Sequence, residues 1–239
     1  MIRKNPKRES KLISYISDII NSVIPVFRSW YLYLGLISLI AGMELTFASQ
    51  TYLYNYTDEG NILPMLPDLI LDNIPFYNVS LFYDLFSFII VIVVIIYIVH
   101  KKEYKSIPFF LLMCGIIQII RSVFIILTPL GNPPMFIGSN TLFNSFSKYD
   151  LGEYPSGHVG SAFLFFLMVK NKCYKRIILF CLIIIIISLL FAHAHYSIDI
   201  LAGFLFAYAI NSFGNEHLKM FKLESMYKFP VTDHKPPVH

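Results

Sequence analysis

Apolar residues in this chain gather into long runs, broken by short stretches that carry proline, lysine or acidic residues. A bilayer core about 30 Å thick asks for roughly 20 residues of helix at about 1.5 Å each. Runs of that order lie at Trp30–Tyr54, Val79–Val99 and Ile107–Thr128. Shorter ones follow at His158–Val169, Ile177–Ala194 and Ser197–Phe213, each bounded by polar or basic residues. The pattern predicts an all-α, polytopic membrane protein with six transmembrane helices and both termini on one side. Ahead of the first run, Leu12, Ile16, Ile19, Ile20 and Val23 recur at helical spacing among Ser10, Ser14, Ser17, Asp18 and Asn21. That spacing predicts an interfacial amphipathic helix ended near Pro25, and its interspersed polar residues exclude a cleavable signal peptide.

Composition agrees. Of 239 residues, 56% are hydrophobic and 14% charged, against about 25% charged in soluble domains. This excludes a soluble enzyme, a disordered chain and a nucleic-acid binder in spite of the net charge of +4. Cys114, Cys173 and Cys181 are too few and too scattered for a disulfide framework or a thiolate metal site.

The position of the charges adds an orientation. Of the 19 Lys and Arg, 17 lie before span 1, between spans 2 and 3, between spans 4 and 5, or in the tail; the exceptions are Arg121 and Lys148. By the positive-inside rule those 17 face the cytoplasm. Asp58, Glu59, Asp68, Asp72, Asp150 and Glu153 collect on the opposite face. The chain thus divides into a basic cytoplasmic segment over 1–29, a six-helix transmembrane domain over 30–213 and a flexible cytoplasmic tail over 214–239.

Ionisable groups inside spans are costly and mark candidate functional positions. Here they are Glu44, Asp84, Arg121, His158, His193, His195 and Asp199. His195 and Asp199 are four apart, which on a helix puts them one turn from each other on one face. A carboxylate there can fix the imidazole tautomer and make the other nitrogen more nucleophilic. A His–Asp pair that merely closes a helix end fits the same spacing. Pro155-Ser156-Gly157-His158 leads into span 4 and makes a helix start whose free N–H groups can hold an oxyanion. Carried on to near Lys175, that helix would run about 17 residues, roughly 26 Å, with His158 at headgroup level. Arg121, on the outward half of span 3, needs an anion: Asp84 or Glu44 from a neighbouring helix, or a substrate phosphate. Two histidines, an aspartate, an arginine and a helix N-terminus suit phosphoryl chemistry that needs no metal.

Pro155-Ser156-Gly157-His158 and His195-x-x-x-Asp199 resemble two motifs of the type 2 phosphatidic acid phosphatase superfamily. The closer resemblance is to its sphingomyelin synthase branch, over about residues 66 to 210. It is carried by the Pro/Asp-rich loop Leu66-Pro67-Asp68…Asp72…Pro75, by Asp84 early in the next span, and by Arg121 followed by Thr128-Pro129. Gly152-Glu153-Tyr154 is similar to the branch's Gly-Asp-Tyr, and Ala192-His193-Ala194-His195-Tyr196-Ser197-Ile198-Asp199 to its Ala-His-x-His-Tyr-Thr-x-Asp.

Against the phosphatase branch, Cys114 stands where a Lys is expected, Ser122 follows Arg121 where Pro is expected, and Ser188-Leu189 replaces Ser-Arg. A phosphomonoester carries close to two negative charges and a phosphodiester one, so a site with one Arg suits the diester better. Against the synthase branch, a Pro precedes Ser-Gly-His, the outer loop after Pro134 is short and no further folded domain precedes span 1.

The resemblance implies a headgroup transferase that moves phosphocholine or phosphoethanolamine from a glycerophospholipid to ceramide or diacylglycerol through a phosphohistidine. His158, His195 and Asp199 would be catalytic, Arg121, Ser156 and Gly157 would bind phosphate, and Asp84, His193 and Tyr196 would support them. No metal or other cofactor is expected. The partners would be membrane lipids, a homo-oligomer is allowed, and the site would face the exoplasmic side. A lipid phosphate phosphatase and a non-catalytic lipid-binding protein are the alternatives. Tyr52, Tyr54, Tyr56, Tyr77, Tyr149 and Tyr154 could hold a quaternary ammonium, although an interfacial aromatic belt explains most of them.

Overall fold

The computed structural model describes Ser17 and residues 20–136 and 151–223. Among these the chain is helical, with no strand. Residues 20–28 are helical. They are followed by α1 (Trp30–Asp58), α2 (Ser80–His100), α3 (Ile107–Leu127), α4 (Gly157–Met168), α5 (Lys172–Phe191) and α6 (Ser197–His217). Five of these helices (α1, α2, α3, α5 and α6) are long and apolar enough to cross a membrane.

α4 follows the apolar run 158–169 to within one residue at each end and does not continue toward Lys175. It has 12 residues, about 18 Å of helix, which is short of a bilayer core. It stops at Met168 because Val169 turns extended and Asn171 caps the next helix, its Oδ1 accepting from Cys173 N at 3.0 Å and Tyr174 N at 3.4 Å. Lys172, Lys175 and Arg176 therefore open α5 instead of closing α4.

The first helix also differs from expectation at its end. Leu12, Ile16 and Ile19 lie outside the described residues. The described part runs through Pro25 to residue 28. A proline removes one N–H···O bond, and the helix absorbs that loss before ending at Ser29, whose N–H donates to Val26 O at 3.1 Å.

Inside a bilayer, helix association rests on close packing and interhelical hydrogen bonds more than on apolar burial. α1 and α3 follow this rule closely. Gly35, Ser38, Gly42, Thr46 and Ser49 form one stripe on α1 that lies along α3. A Cβ on Gly115 of α3 would collide with Ser38, and one on Gly42 would fall 2.6 Å from Gly115 O. Further along, Thr46 Oγ1 donates to Gln118 O at 3.2 Å and Ser49 Oγ to Ser122 O at 3.0 Å. Glu44 is exposed, on the other side of α1.

The short α4 sits at the centre, against α2, α3, α5 and α6. Gly160 and Gly203 let α4 and α6 approach closely. Val159, Ala162 and Leu164 are buried there with Ile178, Leu182 and Ile185 of α5.

The two ends of the bundle differ. At one, Val26, Leu32, Tyr104 and Leu223 form a small cluster, and His100 Nδ1 lies 2.7 Å from Tyr174 Oη. Among the described residues, every Lys and Arg other than Arg121 belongs to segments at this end. Residues 219–223 are docked here: Phe221 meets Tyr31 edge-on, and Phe221 and Leu223 are buried. α6 thus runs past the expected tail boundary at 214, to His217, and burial holds the segment just after it. Residues 224–239 lie outside the described part. The other end carries the loops that enclose the candidate site.

Candidate active site

Three helices place their polar residues at matching depths. Asp84 lies four residues into α2, Arg121 six residues before the end of α3, and His158 in the first turn of α4. At about 1.5 Å per residue the first two lie roughly 6 and 9 Å inside their helix ends. α4 begins deeper than α2, which brings His158 level with Asp84. His158 Nε2 lies 3.1 Å from Asp84 Oδ1, and the edge of the Tyr83 ring faces the imidazole with centroids 5.1 Å apart.

His195 and Asp199 are joined, but not as two residues on one helical face. α5 ends at Phe191, His193 takes a left-handed φ of 48°, and α6 begins at Ser197. His195 therefore stands just before the helix. Asp199, the third residue of α6, reaches back: its Oδ2 accepts from Tyr196 N at 3.0 Å and lies 3.3 Å from His195 Nδ1. One carboxylate oxygen thus completes the helix start and orients the imidazole. With Nδ1 engaged, Nε2 is the nitrogen left for chemistry. His195 is 1% exposed and His158 32%. Their ring centroids are 6.1 Å apart.

Ser156 and Gly157 shape the space between them. Ser156 Oγ accepts from Val159 N at 3.4 Å as the N-cap of α4, and Ser156 N donates to Asp199 O at 3.1 Å, tying the starts of α4 and α6 together. The first amides of α4, those of Gly157 and His158, have no carbonyl one turn back within the helix. Gly157 is also what lets Arg121 pass, since a Cβ there would lie 3.2 Å from Arg121 Nε.

The partner of Arg121 is neither Asp84 nor Glu44. Arg121 Nε donates to Pro155 O at 3.0 Å and Nη2 to Gly152 O at 3.2 Å, and Nη2 lies 3.7 Å from Glu153 Oε2. Asp84 is occupied by His158, and Glu44 faces away. The residue that sequence reasoning missed is Glu153: the same Oε2 is 3.4 Å from His195 Nε2. Its match to Gly-Asp-Tyr was a signal of position, but a loop residue has no periodicity from which its side-chain partners can be read.

His193 and Tyr196 serve the surroundings. The His193 ring meets Phe76 edge-on at 5.7 Å, and its buried Nε2 has no hydrogen-bond partner among the described residues. Tyr196 Oη donates to Gly131 O at 3.2 Å and accepts from Leu66 N at 3.2 Å, binding three loops. Burial, together with Asp199 and Asp68, pushes its phenol up from its ordinary range.

Asp68 completes the latch, accepting from Ser197 N at 2.6 Å, Ile70 N at 2.9 Å and Leu71 N at 3.2 Å. Burial works against its charge, yet these hydrogen bonds, that of Ser197 foremost, hold its carboxyl below the usual carboxylate range. Asp84 Oδ2 and Asp199 Oδ1 are buried and have no hydrogen-bond partner among the described residues.

The arrangement offers two imidazoles, each set by its own carboxylate, beside a guanidinium and a helix start. Such a set can attack, protonate and stabilise a phosphoryl group. No curated protein and no solved structure matches the chain. Residues 155–215, which hold Ser156, Gly157, His158, His195 and Asp199, match the family model described as PAP2 superfamily C-terminal. With five apolar helices of spanning length, that match supports a membrane-spanning protein whose segment 155–215 is similar to the PAP2 superfamily, a similarity that fits phosphatase or phosphotransferase chemistry.

Proposed function

We propose that the protein is a phospholipid headgroup transferase, moving phosphocholine or phosphoethanolamine from a glycerophospholipid to ceramide or diacylglycerol. The carrying observation is the facing pair His195–Asp199 and His158–Asp84, 6.1 Å apart by ring centroids, with Arg121 alongside. His195 Nε2 attacks phosphorus, forming an N–P bond as the P–O bond to diacylglycerol breaks. His158 supplies the proton to the departing oxygen. In the second half, His158 takes the proton of the acceptor hydroxyl, whose oxygen attacks phosphorus while the N–P bond breaks and frees His195. Arg121 and the amides of Gly157 and His158 balance charge on the phosphoryl oxygens. Asp199 and Asp84 orient the two rings and offset their charge when protonated.

Lipid phosphate hydrolysis agrees equally well with the family match. Transfer of a diester is favoured by the cation count. Arg121 is the one Arg or Lys among the described residues at this end of the bundle, and Glu153 already faces it. A site this poor in positive charge suits a monoanion. By the positive-inside rule, the basic segments at the opposite end support a site that opens to the exoplasmic side.

The test incubates purified protein with fluorescent ceramide and phosphatidylcholine or phosphatidylethanolamine, and separately with phosphatidic acid. A new phospho-sphingolipid that disappears in His195→Ala is the expected result. Phosphate release from phosphatidic acid without any transfer product would overturn the transfer reading in favour of the phosphatase. Activity unchanged in His195→Ala would overturn both.

A further inference from the structure

The carboxylate of Glu153 touches the two groups that an incoming phosphoryl oxygen has to touch. Its Oε2 lies 3.4 Å from His195 Nε2, the nitrogen that Asp199 leaves free, and 3.7 Å from Arg121 Nη2. It lies where the substrate's anion belongs. Its backbone is pinned on both sides. Gly152 O and Pro155 O accept from Arg121, Leu151 O accepts from Gln50 Nε2 at 3.0 Å, and Ser156 N donates to Asp199 O. Only the side chain is free to yield, and it is 19% exposed, so rotation toward the opening is available to it.

We infer that Glu153 is an internal counter-anion that holds the phosphoryl position and makes the site selective for singly charged phosphoryl groups. An entering phosphodiester takes over the contacts to Arg121 and His195, and the carboxylate turns aside. Because its backbone stays fixed, the displaced carboxylate remains at the edge of the site as a fixed negative charge. One negative charge on the substrate is matched by Arg121. A second, as on a phosphomonoester, meets Glu153 and Asp199, and among the described residues no further Lys or Arg lies at this end of the bundle to offset it. The inference rests on the phosphoryl-transfer reading of this site. It concerns the charge of the group that binds, and is independent of which acceptor receives it.

Two small probes isolate the effect. Dimethyl phosphate carries one negative charge. Monomethyl phosphate, of nearly the same size, carries close to two at about pH 8. Binding of each to the full-length protein in detergent micelles is followed by phosphorus NMR titration. Wild type is expected to bind dimethyl phosphate at least about tenfold more tightly. Glu153→Gln keeps the shape and removes the charge, and should tighten monomethyl phosphate by about tenfold or more, while Glu153→Asp keeps the wild-type order. A residue that only braces the loop would weaken both probes together and leave their ratio unchanged.

An unchanged ratio in folded Glu153→Gln overturns the inference. So does a wild type that prefers monomethyl phosphate or binds neither probe, results that need no folded variant. A protein that shows the charge switch yet makes no phospho-sphingolipid would overturn ceramide transfer and keep the counter-anion.

Discussion

The two histidine–carboxylate pairs look alike on paper and are built in opposite ways. His195 is almost fully buried, fixed at Nδ1 by Asp199 and faced at Nε2 by Glu153. His158 is about one-third exposed, rides on the first turn of α4 and meets one carboxylate, Asp84, from another helix. The first pair is a feature of one helix start, and the second depends on the relative height of α2 and α4. A nucleophile must hold its reacting atom in line with phosphorus, whereas a general acid–base must exchange protons with successive partners. Enclosure suits the first task and access the second.

The largest effect expected from this contrast separates the two rings outright. His195→Ala should lose transfer by about a thousandfold or more. His158→Ala should lose about a hundred- to ten-thousandfold with a natural donor. Replacing diacylglycerol by a nitrophenolate leaving group, which needs no proton to depart, should restore the first half-reaction in His158→Ala and leave His195→Ala inactive. Equal rescue of the two variants would show that the assignment of roles is wrong.

The next effect compares the carboxylates. Asp199→Asn removes the charge that orients the imidazole and leaves Tyr196 N only a weaker, neutral acceptor, so activity should fall by about a thousandfold and the melting temperature should fall with it. Asp84→Asn removes an orienting charge from a ring that keeps its helix, so a smaller loss, about ten- to a hundredfold, is expected, with the melting temperature held. Steady-state rates and thermal unfolding of the two variants check the order.

The smallest effect lies in the latch over the site. Folding holds the Asp68 carboxyl below its ordinary value of 3.8, so its contribution is present above that pH and is lost as pH falls through the folded value. Wild type should therefore lose melting temperature on acidification from about pH 5 to below 3.8, relative to Asp68→Asn, which lacks that contribution. At neutral pH Asp68→Asn should cost about 1 kcal/mol or somewhat more.

The two pairs also show what a sequence can disclose. His195 and Asp199 are legible because either a helical turn or a helix start brings residues four apart together, and the route taken is the helix start. Asp84 and His158 are 74 apart, and no periodicity relates them; each stood out only as an ionisable residue in an apolar run. Arg121 was recognisable for the same reason, but its partners are the backbone and side chain of a loop, where pattern carries no direction. The helix boundaries follow the apolar runs to within about five residues, and α4 stops with its run instead of continuing toward Lys175. Its early end turned on Asn171, a polar residue whose capping role is invisible until the next helix is placed. The α1–α3 contact could have been foreseen from the small residues at Gly35, Ser38 and Gly42.

The depth of the site has a further consequence. The lone α2–α3–α4 level that holds Asp84, Arg121 and His158 lies roughly 6 to 9 Å inside the ends of the longer helices. A hydroxyl carried by a membrane-anchored molecule is already held in the plane of that level, confined to two dimensions. A water-borne alcohol must leave bulk solvent and descend past the loops. Effective concentration, set by where the acceptor is tethered, then decides the product as much as any contact does. In the proposed reaction the level of the site selects for lipids simply by being where lipids are.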